Sequence, residues 1–153
     1  MMKLSCKVIA ALRGRTLVTA ESCTGGGIGA ALTSVPGSSA VYKGGIISYT
    51  NEVKTEQLGV ERTLLDSAGA VSAAVAEAMA AGARQRLSAD IAVSVTGLAG
   101  PDGDDFGNPV GTVFVGFSNS MKTFSKEYHF TGDREEVRKQ TIMAALALVL
   151  QET

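Results

Sequence analysis

The stretch Thr16-Leu17-Val18-Thr19-Ala20 reads as a short buried strand that runs straight into the glycine-rich turn Glu21-Ser22-Cys23-Thr24-Gly25-Gly26. A helical pattern, Ile28-Gly29-Ala30-Ala31-Leu32, follows at once and is broken by Val35-Pro36-Gly37-Ser38-Ser39. Strand, tight turn and helix in immediate succession open an α/β fold, and the pattern recurs. Val41 to Tyr49 is a second strand, after which Asn51 is placed to cap a short helix beginning around Glu52. Ser72 is the expected cap of a long Ala-rich helix, Ala73 to Leu87, and Asp90 to Thr96 is a third strand. Val110 to Phe117 and about Lys122 to Phe130 form two more strands around the polar turn Ser118-Asn119-Ser120. Asp133, with Glu136 behind it, matches a capping box for a last helix from Glu135 to Leu150. Ahead of all this, Leu4, Val8, Ile9 and Leu12 have helical spacing, and Gly14 ends that helix. Alternating strands and helices followed by a hairpin imply a mixed sheet of about five strands with helices on both faces.

The chain of 153 residues is expected to be a single domain. Ala and Gly abound and Trp is absent, so helices and sheet are expected to approach closely around an aliphatic core. A net charge of −1, with Lys and Arg scattered, gives no field for nucleic acid or an anionic membrane surface. Cys6 and Cys23 form no disulfide framework, His129 stands in no ligand pattern, and no protein-held zinc or iron is expected. The first ten residues lack the apolar run of a signal peptide and no window is long enough to span a membrane, so a cytoplasmic protein is expected.

In open α/β sheets ligands gather where strands end and helices begin, here after Ala20, Tyr49 and Thr96. Ser22 stands at the first of these ends as a nucleophile, a phosphate ligand or simply a helix cap. Cys23 is a weaker rival nucleophile, because it has no local His partner and suits a packed core position. A serine nucleophile needs a base, and lysine serves when partly buried near other positive potential. Lys54 falls in the first turn of the helix that Asn51 caps, where the macrodipole disfavours a further positive charge. Taken alone it is equally a surface lysine. Tyr49, at the preceding strand end, is placed to share a proton between Ser22 and Lys54. The loop from Thr96 through Gly100 to Gly107 is long and glycine-rich, as binding loops and lids are. Its aspartates match no calcium-loop spacing, and a polar turn explains them. Arg134, at a helix start, is suited to clamp a phosphate or carboxylate, or to make a surface ion pair.

Seven segments together resemble the C-terminal domain of the CinA family. They are Thr19 to Gly26, Pro36 to Ser39, Ser48 to Lys54, Gly69 to Ser72, Thr96 to Gly103, Pro109 to Val113 and Gly132 to Arg134, in family order across nearly the whole chain. The resemblance implies a three-layer α/β/α fold with a mixed, mostly parallel sheet, and the chemistry of the stand-alone nicotinamide-nucleotide amidases. It implies hydrolysis of the carboxamide of nicotinamide mononucleotide, without cofactor or metal, to nicotinic acid mononucleotide and ammonia. By the same analogy Ser22 is the nucleophile and Lys54 and Tyr49 activate it. Backbone N–H groups around Cys23 to Gly26 serve either the oxyanion or the phosphate, and Thr24, Gly25, Gly26, Thr96, Gly100 and Arg134 are the candidates for binding the nucleotide. A homo-oligomer is implied as well. Two departures stand out. The chain begins at the amidase-like domain, so nucleotide pyrophosphatase activity is not expected, and Asn108 replaces the lysine associated with the position before Pro109. A nucleotide- or partner-binding module without turnover, and an amidase for another small amide, are the competing readings.

Overall fold

A computed structural model describes residues 1–153. The helices are α1 (Met2–Ala11), α2 (Gly27–Thr33), α3 (Asn51–Leu58), α4 (Arg62–Ala68), α5 (Ala73–Arg86) and α6 (Arg134–Gln151). The strands are β1 (Leu17–Glu21), β2 (Tyr42–Ile47), β3 (Ile91–Gly97), β4 (Thr112–Ser118) and β5 (Thr123–His129). They form one sheet in the order β2-β1-β3-β4-β5, parallel across β2, β1 and β3 and antiparallel across the hairpin β4-β5. No helix is long and apolar enough to cross a membrane.

Period-2 alternation sends successive strand residues to opposite faces, and both faces are covered. Leu17, Val93, Val95, Val115 and Phe117 pack into one core with Val8, Ile28, Leu32, Leu146 and Val149 of α1, α2 and α6. Val18, Ala20 and Ala92 face the opposite way, onto Val75, Met79, Ala80 and Ala83 of α5 and Leu58 of α3. Two glycines let the backbones of this second layer approach closely. A Cβ on Gly116 would lie 2.3 Å from the Ala76 carbonyl oxygen, and one on Gly82 would lie 1.9 Å from the Leu58 carbonyl oxygen. Helix α5 therefore touches β4 on one side and the backbone of α3 on the other.

Two local readings need correction. Thr50, not Asn51, caps α3: its backbone is extended and its hydroxyl accepts from the Val53 N–H, so the helix starts one residue early. Lys54 is then the first residue whose own N–H closes onto the helix, at Thr50 O. Helix α4 was not expected, and it forms without any side-chain cap. Ser72 and the Asp133–Glu136 capping box cap α5 and α6 as the sequence predicts.

Candidate active site

The three parallel strands end on the same side of the sheet, and a cleft of about 350 Å³ opens there. Ser22 follows β1, with its N–H bonded to Val95 O of β3. Lys54 comes from α3 after β2, Thr96 and Gly97 end β3, and Arg134 begins α6; all line the cleft with Tyr49 and Gly100.

Lys54 is 1% exposed, and its ammonium nitrogen is surrounded by oxygen. Nζ lies 2.8 Å from Ser48 O, 3.2 Å from Tyr49 O and 3.1 Å from Ser22 Oγ. No carboxylate pairs with it. Burial pushes its pKa down from 10.5 to about 8. Near that pH a neutral amine is well populated. It has two N–H groups and one lone pair, and two carbonyls and one hydroxyl are arranged to receive them.

Tyr49 meets Lys54 through its carbonyl rather than its hydroxyl. The phenol is more than half exposed and accepts a 3.1 Å hydrogen bond from Arg134 Nη2, while Arg134 Nη1 donates to Gly100 O at 2.7 Å. Arg134 thus ties the end of β2 to the loop after β3. Thr96 is buried and donates its hydroxyl proton to Ala70 O at 2.8 Å.

The glycine-rich turn holds an acidic group of its own at the start of α2. Glu21 is 2% exposed and turns its carboxylate onto the start of α2. Oε1 accepts from the Thr24 hydroxyl at 2.5 Å and the Ile28 N–H at 2.9 Å, and Oε2 accepts from the Gly29 N–H at 3.0 Å. The helix end that would attract a phosphate is occupied by the protein's own anion. Thr24, Gly25 and Gly26 lie outside the cleft lining. Gly25 and Gly26 have φ of +59° and +103°, the left-handed region that lets the chain turn from β1 into α2. Arg138 of α6 completes the turn from outside, donating from Nε to Cys23 O and from Nη2 to Thr24 O, both at 3.1 Å.

Glu21 and Arg138 are the groups sequence reasoning missed. Arg138 carried one usable signal: it stands four residues after Arg134 and so shares its helix face. Cys23 lines the cleft beside Ser22, but burial pushes its thiol up to about 12, a neutral and poor nucleophile. His129 pairs with exposed Glu127 on β5 and is not among the cleft residues. Asn108 closes the β3–β4 loop, donating from Nδ2 to Asp104 Oδ2 at 2.8 Å and to Val71 O at 3.2 Å.

The family profile of the CinA C-terminal domain matches residues 2–153. The chain belongs to the CinA C-terminal domain family. Within it, the chain is 51% identical over 135 residues to Pseudomonas putida nicotinamide-nucleotide amidohydrolase PncC, covering 88% of this chain and 84% of that protein. A CinA-like protein of Geobacter metallireducens is 48% identical over 133 residues, and this CinA domain spans only about a third of its length (87% of this chain, 32% of that one). The fold recurs in solved structures. The competence damage-inducible protein A of Klebsiella pneumoniae superposes with a TM-score of 0.96 at 37% identity, covering 99% of this chain and 95% of that one. CihA of Agrobacterium tumefaciens gives 0.94 at 39% identity, covering 98% and 93%. The three-layer α/β/α arrangement is therefore the family's.

Proposed function

We propose that this CinA domain is a nicotinamide-nucleotide amidohydrolase, converting nicotinamide mononucleotide to nicotinic acid mononucleotide and ammonia. The observation that carries the reading is the 3.1 Å contact between Lys54 Nζ and Ser22 Oγ, inside a socket of two carbonyls. The similarity to PncC of Pseudomonas putida supports the substrate.

In its neutral form Lys54 donates to Ser48 O and Tyr49 O, and its lone pair receives the Ser22 hydroxyl proton. Ser22 Oγ then adds to the carboxamide carbon, the carbonyl π pair moves onto oxygen, and the proton passes to Nζ. When the intermediate collapses, the C–N bond breaks and the Lys54 proton leaves with the amine as ammonia. Water, deprotonated by Lys54, hydrolyses the resulting Ser22 ester, and the proton returns to Ser22. Leu98, Ala99 and Val71 offer an apolar wall for the pyridine ring, and Arg134 supplies the charge for the phosphate. Thr96 and Gly100 shape the wall and the anchor of that arginine. In this reading Tyr49 acts through its carbonyl on Lys54 and through its hydroxyl on Arg134, and Thr24, Gly25 and Gly26 build the turn that presents Ser22.

The test is ammonia release from nicotinamide mononucleotide and a panel of other carboxamides, with product identified by chromatography. Release from the nucleotide, abolished in Ser22→Ala, is expected. Tight nucleotide binding with no product would replace the enzyme by a binding module, and preference for another amide would replace the substrate.

A further inference from the structure

The peptide units after Ser22 leave two N–H groups without a partner. Ser22 N–H is taken by Val95 O, Gly25 N–H by Ser22 O and Gly27 N–H by Thr24 O, but the N–H groups of Cys23 and Thr24 reach no backbone or side-chain oxygen. Both residues are buried, at 7% and 0% exposure. The Cys23 N–H lies against that residue's own sulfur, a weak acceptor. Buried N–H groups are nearly always paired, so the free one at Cys23, on the cleft wall directly after the candidate nucleophile, marks a place where an oxygen from outside is meant to sit.

Their directions are set from α6. A trans peptide is planar, so fixing its carbonyl fixes the N–H on the opposite side. Arg138 Nε holds Cys23 O, whose peptide carries the Thr24 N–H. Arg138 Nη2 holds Thr24 O, whose peptide carries the Gly25 N–H. That N–H in turn binds Ser22 O, whose peptide carries the Cys23 N–H. One guanidinium thus determines both free donors. We propose that the Cys23 N–H, whose residue lines the cleft beside Ser22, is an oxyanion donor and that Arg138 is the positioning residue of the turn that carries it. The proposal rests on Ser22 being the nucleophile of the reaction above. It also separates two duties, since the oxyanion meets backbone of the turn while the phosphate is met by Arg134 across the cleft.

The experiment compares Arg138→Ala and Arg138→Lys with the parent protein by steady-state ammonia release. In parallel it measures the rate of Ser22 phosphonylation by a fluorophosphonate, followed by intact mass. Phosphonylation also builds negative charge on an oxygen beside Ser22, but needs no nucleotide. Arg138→Ala is expected to lose about 100-fold in kcat with KM within about threefold, and to lose a comparable factor in phosphonylation. Arg138→Lys, able to hold only one carbonyl well, is expected between the two, and added guanidinium should restore part of the Arg138→Ala rate. Parent-like kcat and labelling in Arg138→Ala overturns the proposal and leaves the amidase reading standing. So does a kcat loss without slower labelling or guanidinium rescue. If the parent protein labels at Ser22 but hydrolyses no carboxamide, the amidase reading falls, and the labelling rates of the two variants still decide the role of Arg138.

Discussion

Lys54 Nζ stands 3.1 Å from Ser22 Oγ while the carbonyls of Ser48 and Tyr49 occupy two of its remaining directions. The amine can serve Ser22 as a base only after losing its proton, and burial brings that loss to about pH 8. The pH profile of kcat/KM is therefore expected to rise through a limb centred near 8, well below the ordinary lysine value of about 10.4. Lys54→Met should abolish turnover. A profile flat from pH 6 to about 9 would remove Lys54 as the base.

The same burial makes Lys54 a cost to stability. Below pH 8 the folded and unfolded chains both carry the proton, and the folded state bears the whole desolvation penalty. Between about 8 and 10.5 the unfolded chain binds more protons, so stability attributable to this residue rises with pH, and above 10.5 the penalty is gone. Lys54→Met is expected to be more stable than the parent by up to about 3 kcal/mol at pH 7, with the gap closing as pH rises past 8. Cys23 opposes this trend: its thiol is raised from 9.0 to about 12, so its contribution is full below pH 9 and is lost as pH climbs toward 12. Urea melts of Lys54→Met in a Cys23→Ala background isolate the lysine. A gap that does not vary with pH would exclude the burial penalty.

Glu21→Ala removes the acceptor for a buried hydroxyl and for two amides at the start of α2. Leaving such donors unpaired costs about 3 kcal/mol, which for a domain of this size lowers Tm by roughly 10 °C. Calorimetry checks the value, and loss of kcat should accompany it because the same turn presents Ser22. An unchanged Tm would show that water replaces the carboxylate without loss.

Tyr49→Phe deletes the hydroxyl that Arg134 Nη2 grips and leaves the carbonyl that holds Lys54. It is expected to raise KM several-fold and to leave kcat within about threefold. A 100-fold fall in kcat would instead make the phenol a proton carrier between Ser22 and Lys54.

Gly82→Ala would drive a methyl into the carbonyl of Leu58, at the C-terminal end of the helix that carries Lys54. Overpacking backbone against backbone is expected to cost about 3 kcal/mol and to displace Lys54 from Ser22. Denaturant melts and kcat measured on one preparation check both effects, and a stable, fully active variant would show that α3 shifts freely.

Much of this arrangement was legible in the chain. Buried strands such as Thr16 to Ala20 and Asp90 to Thr96 announce themselves by apolar runs between turn residues, and their ends pointed to Ser22, Lys54 and the Thr96 loop. What escaped depends on contacts distant in sequence. Nothing local distinguishes Glu21 as a buried acceptor, because its partners at Ile28 and Gly29 become reachable only once β1 turns into α2. Arg138 reads as one more charge on a solvated helix face until α6 is laid beside the turn, 115 residues earlier at Cys23. Thr50 and Asn51 are both good caps, and the extended backbone at Thr50 decides between them.

The Glu21 carboxylate, by neutralising the start of α2, leaves Lys54 and Arg134 as the two cations lining the cleft. Only Lys54 can discharge in the ordinary working range. Raising the pH through 8 therefore frees the base and, in the same step, weakens the site's attraction for a phosphate-bearing ligand. Turnover and affinity are set against each other by one proton, so KM should climb as pH rises past 8, and the limb of kcat should lie above that of kcat/KM.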